Sequence, residues 1–192
     1  VDVAESKIGL TQLLNGSILR GGTGGYSPAE MARVLDENAI HISVGVGEEE
    51  TVIQLSVLKE DWQAGLNLLQ EIMTQPGFDP GVLEIVKAQA LTGLKRQGGN
   101  AQAVAGRERE IWHFKGHPYG RDPLAGMQTI PSISSEDLKH FLREYLVPSN
   151  IVAAVAGDID KEDVISGLEH FFKALPQTRA PVRKLADPLE TP

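Results

Sequence analysis

The chain of 192 residues has no cysteine, and that absence excludes several kinds of chemistry. Without thiols there is no disulfide bond, no thiolate metal ligand and no cysteine nucleophile. A cysteine-free sequence suits a cytoplasmic protein, and it equally suits a periplasmic or otherwise exported protein that needs no disulfide bridges. The sequence therefore leaves the compartment open.

The sequence is also poor in long apolar runs and in clustered basic residues. No apolar run approaches the roughly 18 to 20 residues that a membrane-spanning helix requires. The formal net charge is −8, and the 18 Lys and Arg residues are scattered along the chain. Affinity for nucleic acid comes from clustered Lys and Arg facing phosphates. We therefore expect neither a membrane span nor a nucleic-acid partner.

The sequence does contain apolar residues at regular spacing, with a hydrophobic content of 41% that is typical of globular domains. Helical spacing over residues 6–19 predicts a first amphipathic helix. Ser27 and Glu30 then have the spacing of a capping box, which predicts a second helix running to about Asn38. Further helices are predicted to begin near Asp61, Asp79, Ala101, Ser134 and Asp160.

Strand spacing occurs between the second and third helices. Apolar and polar residues alternate over residues 40–46, and a second strand is predicted over residues 51–58, so the two predict an antiparallel hairpin. The acidic residues 48–50 between them could hold a cation, but a solvated turn explains them better. Residues 151–156 are wholly apolar and predict a short buried strand.

Three separated stretches, in order and with consistent spacing, resemble the pitrilysin/insulinase family of metallopeptidases, which includes inverzincins of the mitochondrial-processing-peptidase type. Residues 9–23 (GLTQLLNGSILRGGT) are similar to the helix that carries the zinc motif H-x-x-E-H, with the residues that follow it. Residues 114–120 (FKGHPYG) resemble a family loop. Residues 133–160 resemble its helix, Pro-Asn turn, apolar strand and Gly-Asp ending. The resemblance covers most of residues 9–175.

The resemblance implies an α+β fold, with a mixed, mainly antiparallel sheet and helices packed on it. Residues 1–175 would form one peptidase-type domain, and residues 176–192, rich in Pro and charge, a linker or tail. The family pattern has strands before the zinc helix and a second related domain after the linker. Neither is present here and Val1 is not Met, so we expect a fragment of a longer protein, with an unpaired sheet edge.

The resemblance also implies that the catalytic centre is degenerate. Two histidines at i and i+4 share a helix face and can bind one zinc ion, with a glutamate between them as general base. Here those three positions are Gln12, Asn15 and Gly16. The third zinc ligand, a glutamate in the family, falls near Thr92 or Gly93. We therefore expect no catalytic residue and no metal in this chain, although zinc is expected in active members.

Other residues offer weaker metal or catalytic candidates. Gln12 and Asn15 would be ordinary polar surface residues if the resemblance were set aside. His113 and His117 are four apart, but Gly116 and Pro118 interrupt any helix between them, so they need not share a face. Single histidines with a structural or solvated role are expected at His41, His140 and His170. No G-x-S-x-G or P-loop sequence occurs.

Peptide binding remains possible without catalytic residues. In active relatives the substrate adds its backbone to an edge strand beside the zinc helix. The matching residues here are Ile42, Ser43 and Val44, where the family's Asn-Ala pair is replaced by Ile42 and Ser43. Backbone pairing survives such replacements, so we predict a substrate-binding edge at these residues. An ordinary hairpin strand explains them equally well.

Three functions are compatible with these observations. The first is a non-catalytic subunit or homologue of a pitrilysin/insulinase-like zinc peptidase, which helps to form the peptide chamber beside a homologous subunit with an intact zinc motif. The second is a stand-alone peptide-binding or scaffold protein. The third is an active zinc metalloendopeptidase whose ligands are not the ones matched above. The first is preferred because four family positions have all lost their side-chain chemistry.

Overall fold

A computed structural model of the chain describes residues 4–47 and 49–181. Glu48, in the predicted acidic turn, and residues 182–192, in the predicted linker or tail, lie outside the described residues. The described α-helices are α1 (Leu10–Ser17), α2 (Pro28–Glu37), α3 (Trp62–Thr74), α4 (Pro80–Gly99), α5 (Ala101–His113), α6 (Gly126–Thr129), α7 (Ser135–Tyr145) and α8 (Lys161–Ala174), and the strands are β1 (His41–Val46) and β2 (Thr51–Ser56). Short 3-10 turns occur in several of the connections.

Helix α2 begins at the predicted capping box. The Glu30 backbone N–H donates to the Ser27 hydroxyl at 3.3 Å, and the Glu30 carboxylate accepts from the Ser27 backbone N–H at 2.9 Å. Hydrogen bonds from the Ser27 hydroxyl and backbone hold the pKa of Glu30 below its usual value. Pro28 occupies the first helical position, where its missing N–H costs nothing. The sequence prediction is confirmed here.

Strands β1 and β2 form the predicted antiparallel hairpin. Ile42 lies opposite Leu55 and Val44 opposite Ile53, and these residues pack on the core. Strand β2 ends at Ser56, two residues before the predicted end at Leu58. The α+β class is confirmed, and within the described residues the sheet is this two-stranded hairpin.

Residues 151–156 differ from the sequence prediction. They belong to no strand in the described part of the chain, and the side chain of Val152 is 98% exposed. Apolar composition favours a buried strand only when a neighbouring strand accepts and donates its backbone hydrogen bonds. Ile151 has an extended backbone (φ −122°, ψ 136°), and residues 152–156 are exposed. No described strand forms backbone hydrogen bonds with this segment, so it does not become part of a sheet.

The core lies between α1, α2, the hairpin, α3, α4, α7 and the turn after α6. Its centre includes side chains with no exposed surface, among them Leu13, Met31, Ile72, Ile130 and Leu138. Each contributes about 1.5–3 kcal/mol by leaving water. These residues come from five separate parts of the chain, so the core joins the N-terminal helices to the later ones.

A glycine-rich turn after α1 fixes how that helix meets α3. Gly22 has a φ of +69°, which favours glycine, and its carbonyl accepts from the Gly77 backbone N–H at 3.0 Å. The Glu71 carboxylate on α3 accepts from the Thr23 hydroxyl at 2.6 Å and from the Gly25 N–H at 2.9 Å. Helix α1 is therefore held at its C-terminal end by the turn and by α3.

The start of α7 is joined to the N-terminal turn by an ion pair. Lys7 Nζ lies 2.8 Å from Asp137 Oδ2, which also accepts from the Ser134 backbone N–H at 2.8 Å. Partial burial of Asp137 opposes ionisation, but hydrogen bonds from Lys7 and Ser134 outweigh it and hold the pKa of this carboxyl below its usual value. One carboxylate thus caps α7 and anchors the chain ahead of α1.

No described helix has the length and apolar character needed to cross a lipid bilayer.

We expect Asp137→Ala to lower the free energy of unfolding by about 1–2 kcal/mol at pH 7, because it removes the carboxylate's half of the capping box with Ser134 and the ion pair with Lys7. Since the folded pKa is depressed, the carboxylate stabilises the fold above its unfolded pKa of about 4, and this contribution is lost as the pH falls through the folded pKa. Urea unfolding at pH 7 and pH 3 measures both effects. The control is Asp36→Ala, an exposed carboxylate on α2. Equal effects of the two variants at pH 7 would contradict the assignment.

Candidate functional site

Helix α1 has one buried and one exposed face. Leu13 and Leu14 are buried, whereas Gln12 and Asn15 are exposed. Gly9 is the residue before the helix, and its φ of +95° and its close approach to Ile130 leave no space for a side chain. The two amides predicted to replace the first histidine and the general base therefore lie together on the solvent side of α1.

Gly16, at the predicted second histidine position, lies directly against α4. A Cβ added at Gly16 would be 2.6 Å from Val86 Cγ1, far inside van der Waals contact. Val86 is buried and, as a β-branched residue, has little rotamer freedom in a helix. An imidazole at this position would require α1 and α4 to move apart.

The predicted position of the third ligand is on α4 and also lacks a suitable group. The Thr92 hydroxyl is exposed and donates to the Ala88 carbonyl of its own helix at 2.8 Å. Gly93 has open space around it, with no atom within 4 Å of an added Cβ. Helix α4 packs against α1, so these residues lie on the helix that faces the altered motif.

These groups do not fit a catalytic zinc ion. Such a site needs three ligands from His, Cys or carboxylate side chains and an open position for water. Gln12, Asn15, Gly16 and Thr92 supply two amides, one hydroxyl and no imidazole or carboxylate. No group of three or more His, Cys, Asp or Glu residues in the described part of the chain is arranged to hold a metal. That the chain binds no zinc stays a prediction.

The two histidines near the end of α5 form part of an aromatic cluster. His113, the last residue of α5, packs edge-on against Phe114 with ring centroids 4.7 Å apart. His117 Nδ1 accepts from the Tyr119 backbone N–H at 3.2 Å, and the Tyr119 hydroxyl hydrogen-bonds to the Glu49 carboxylate. This cluster therefore joins the tip of the hairpin to the loop after α5.

Residues of the predicted substrate-binding edge lie on β1 beside α1. The side chain of Ile42 is buried in the core, and Ser43 and Val44 are half-buried. One edge of β1 pairs with β2, and the described residues provide no third strand on its other edge. The structure thus gives Ile42 a packing role, and binding of a peptide at this edge stays a prediction.

A cavity of about 860 Å³ is the feature that sequence reasoning missed. It lies between β2 and residues 151–159, and it reaches down to side chains of α1, α3, α7 and α8. The apolar composition of residues 151–156 predicted a strand within a sheet, and a strand packed in a sheet would leave no cavity beside it. Only the exposure of that segment in the fold reveals the cavity.

Comparison with protein-family models gives the same assignment as the resemblance. Residues 4–122 match the family described as insulinase (peptidase family M16), and residues 132–192 match the peptidase M16 inactive domain. The chain belongs to the insulinase family. The first match alone spans more than half of the chain, so membership does not depend on any single motif.

Named relatives include both non-peptidase and peptidase proteins. The chain is 26% identical over 176 residues to the non-peptidase homolog YmxG of Helicobacter pylori, covering 92% of this chain and 40% of that protein. It is 23% identical over 161 residues to the mitochondrial-processing peptidase subunit beta of Saccharomyces cerevisiae, covering 84% of this chain and 35% of that protein. The chain thus spans well under half the length of these relatives.

Among solved structures, the fold matches the peptidase M16 inactive domain from Pseudomonas fluorescens. The TM-score is 0.83 at 24% sequence identity, over 91% of this chain and 43% of that chain. This similarity confirms the insulinase-family fold.

Gly16 and Gly93 offer a matched pair of substitutions on the two packed helices. We expect Gly16→Ala to lower the free energy of unfolding by about 1–3 kcal/mol, because the added methyl group overlaps Val86. Gly93→Ala has open space and should raise it by about 0.5–1 kcal/mol through helix propensity alone. Chemical denaturation measures both. If Gly16→Ala raised the free energy of unfolding as Gly93→Ala is expected to do, this result would contradict the close packing of α1 against α4 at Gly16.

Proposed function

We propose that this chain is a non-catalytic member of the insulinase family, which acts beside a homologous subunit with an intact H-x-x-E-H motif and helps to form the peptide chamber. The observation that carries the proposal is the contact between Gly16 and Val86. It leaves no space for a metal-binding side chain at the second histidine position. Together with Gln12, Asn15 and Thr92, it removes every group that would bind zinc or act as the base.

The names of the relatives support a non-catalytic member. One is called a non-peptidase homolog, and residues 132–192 match a domain described as inactive. Another is named as the beta subunit of a peptidase, which is the kind of protein that works in an assembly. A chain that has kept the scaffold but lost the metal ligands fits the role of a partner subunit.

In this proposal a peptide would lie along β1. Ile42, Ser43 and Val44 provide an extended backbone beside α1, and strand addition depends on backbone groups rather than on particular side chains. The strand can therefore contact a substrate although the neighbouring helix has no catalytic group. Cleavage would take place on the other subunit.

A second candidate is a peptide-binding scaffold that acts without a peptidase. The observation in its favour is the cavity beside β2, which is open, largely apolar and independent of the altered zinc motif. Peptide binding by the isolated chain, with no effect on a peptidase, would favour this alternative.

Metal content tests whether the chain is an active enzyme with other ligands. We expect fewer than about 0.1 zinc ions per chain after a chelator wash, because the matched positions provide no zinc ligand. A catalytic site with three strong ligands would keep its zinc through the wash. Elemental analysis of the purified protein gives the ratio. A stoichiometric amount of zinc that survives the wash would contradict a non-catalytic assignment and favour a metalloendopeptidase.

The subunit role is tested by co-expression with an insulinase-family chain that has an intact H-x-x-E-H and comes from the same source. We expect the two to co-purify, and we expect cleavage of a quenched fluorescent peptide to rise by about tenfold over that chain alone, which corresponds to ~1.4 kcal/mol of transition-state stabilisation.

The control for this experiment is the same pair with the motif glutamate of the active chain replaced by glutamine, which should abolish cleavage. Failure of the two chains to associate, or association with no gain in the rate of cleavage, would contradict the subunit role.

A further inference from the structure

The loop after α5 has no part in either candidate function, although it is one of the three stretches that resemble the family. It contains a short 3-10 turn, Pro118–Gly120, which begins directly after His117. The first backbone N–H groups of a helical turn have no acceptor within it. His117 supplies one of them with an acceptor, because its Nδ1 accepts from the Tyr119 backbone N–H at 3.2 Å. The imidazole thus caps this turn as an Asn or Asp side chain caps a helix.

Tyr119 connects the capped turn to the hairpin. Its ring lies edge-on to His117 and to Phe114, with ring centroids 4.6 Å and 5.6 Å apart. Its hydroxyl hydrogen-bonds to the carboxylate of Glu49, an exposed residue between β1 and β2. Because the same residue gives its N–H to the cap and its hydroxyl to the hairpin, the conformation of the turn decides whether the tip of the hairpin is held.

The cap requires the neutral form of the imidazole. A backbone N–H can only donate, so Nδ1 of His117 must accept and the ring proton must be on Nε2. Protonation turns both ring nitrogens into donors. The Nδ1 proton would then face the Tyr119 N–H, and the cap would be lost. Histidine is the side chain that ordinarily changes its charge between pH 5 and 8.

Charged side chains of both signs lie on the elements around this turn. They are the carboxylates Glu49 and Glu50 at the hairpin tip, Glu110 on α5 and Asp122 after the turn, and the basic groups His113, Lys115 and Arg121. Asp122 is partly offset by Arg107, whose Nε lies 3.7 Å from its Oδ1. Carboxyl, lysine and arginine side chains ordinarily titrate outside the range of pH 5 to 8. His113 is therefore the neighbour that needs a control of its own.

We propose that His117 is a pH-sensitive latch on the hairpin. When neutral, it caps the turn Pro118–Gly120 and keeps Tyr119 on Glu49; when protonated, it opens the turn and releases the hairpin tip. Release also lets the strand pair nearest the tip, Val46 with Thr51, open more often. The latch consists of contacts within the described residues and depends on neither candidate function.

The test is hydrogen exchange of the full natural chain, measured by mass spectrometry in peptides that cover residues 45–52 and 116–121. Variants are compared with the unaltered protein at the same pH, about 7.5 or about 5.5, so that the pH dependence of the exchange chemistry cancels. At the lower pH we expect the unaltered protein to exchange about five-fold faster than His117→Asn in both segments, which is the effect of losing roughly one hydrogen bond.

Three variants separate the parts of the latch. Asparagine can accept from the N–H two residues on and does not titrate, so His117→Asn should stay protected at both pH values. His117→Ala has no cap, so both segments should exchange fast at both pH values. Tyr119→Phe lacks only the hydroxyl, so residues 45–52 should exchange fast at both pH values while residues 116–121 keep their response to pH.

Two histidine variants serve as matched controls. His113→Asn changes the other histidine of the aromatic cluster, and His41→Asn changes an exposed histidine at the far end of the same hairpin. Neither replaces the acceptor of the Tyr119 N–H. Both should exchange like the unaltered protein at each pH.

Three results would overturn the latch. They are equal exchange of the unaltered protein and His117→Asn at the lower pH, equal exchange of the unaltered protein and His117→Ala at the higher pH, or loss of the pH response in His113→Asn. The measurement needs neither a peptide nor a peptidase. Its failure would leave the zinc and co-expression results unaffected, and their failure would leave the latch unaffected.

Discussion

The close contact between α1 and α4 is the constraint on which the rest of the site depends. Gly16 meets Val86, and Gly9 at the start of α1 meets Ile130, in both cases with no space for a Cβ. Because two glycines let α1 approach its neighbours this closely, Leu13 and Leu14 reach the centre of the core. The packing of the helix and the absence of a metal-binding side chain at Gly16 thus have the same physical origin.

The residues at the three motif positions are compatible with the packing of α1. Gln12 and Asn15 are exposed, so their side chains contribute nothing to the core. A histidine or a glutamate at these positions would contribute nothing to the core either. At Gly16 the absence of a side chain allows Val86 to pack closely against α1 and to be buried. Catalytic residues are often retained at some cost to stability, and removing them lets packing alone decide which residue is best.

Elements with a local signal could be predicted from the sequence, and those that depend on distant contacts could not. The capping box at Ser27 and Glu30 and the alternation in β1 are local, and both are confirmed. The strand predicted at residues 151–156 is wrong within the described residues. Apolar composition indicates a tendency to be buried, whereas a strand also needs a neighbouring strand to pair with. At the site, Gly16 was recognised as an altered position through the resemblance, but its contact with Val86 depends on how two helices pack. The cavity beside β2 likewise could not be predicted, because its lining comes from elements that are far apart in the sequence.

The altered motif and the cavity share α1 but face opposite ways. At 100° of rotation per residue, Leu14 points about 160° away from Gln12, and Leu14 lines the cavity floor while Gln12 is exposed. The cavity therefore borders the core side of α1, whereas Gln12 and Asn15 face solvent and Gly16 packs against Val86. Substitutions at Gln12 and Asn15 would therefore leave the lining of the cavity unchanged. Helix α1 thus separates the surface that carries Gln12 and Asn15 from the lining of the cavity.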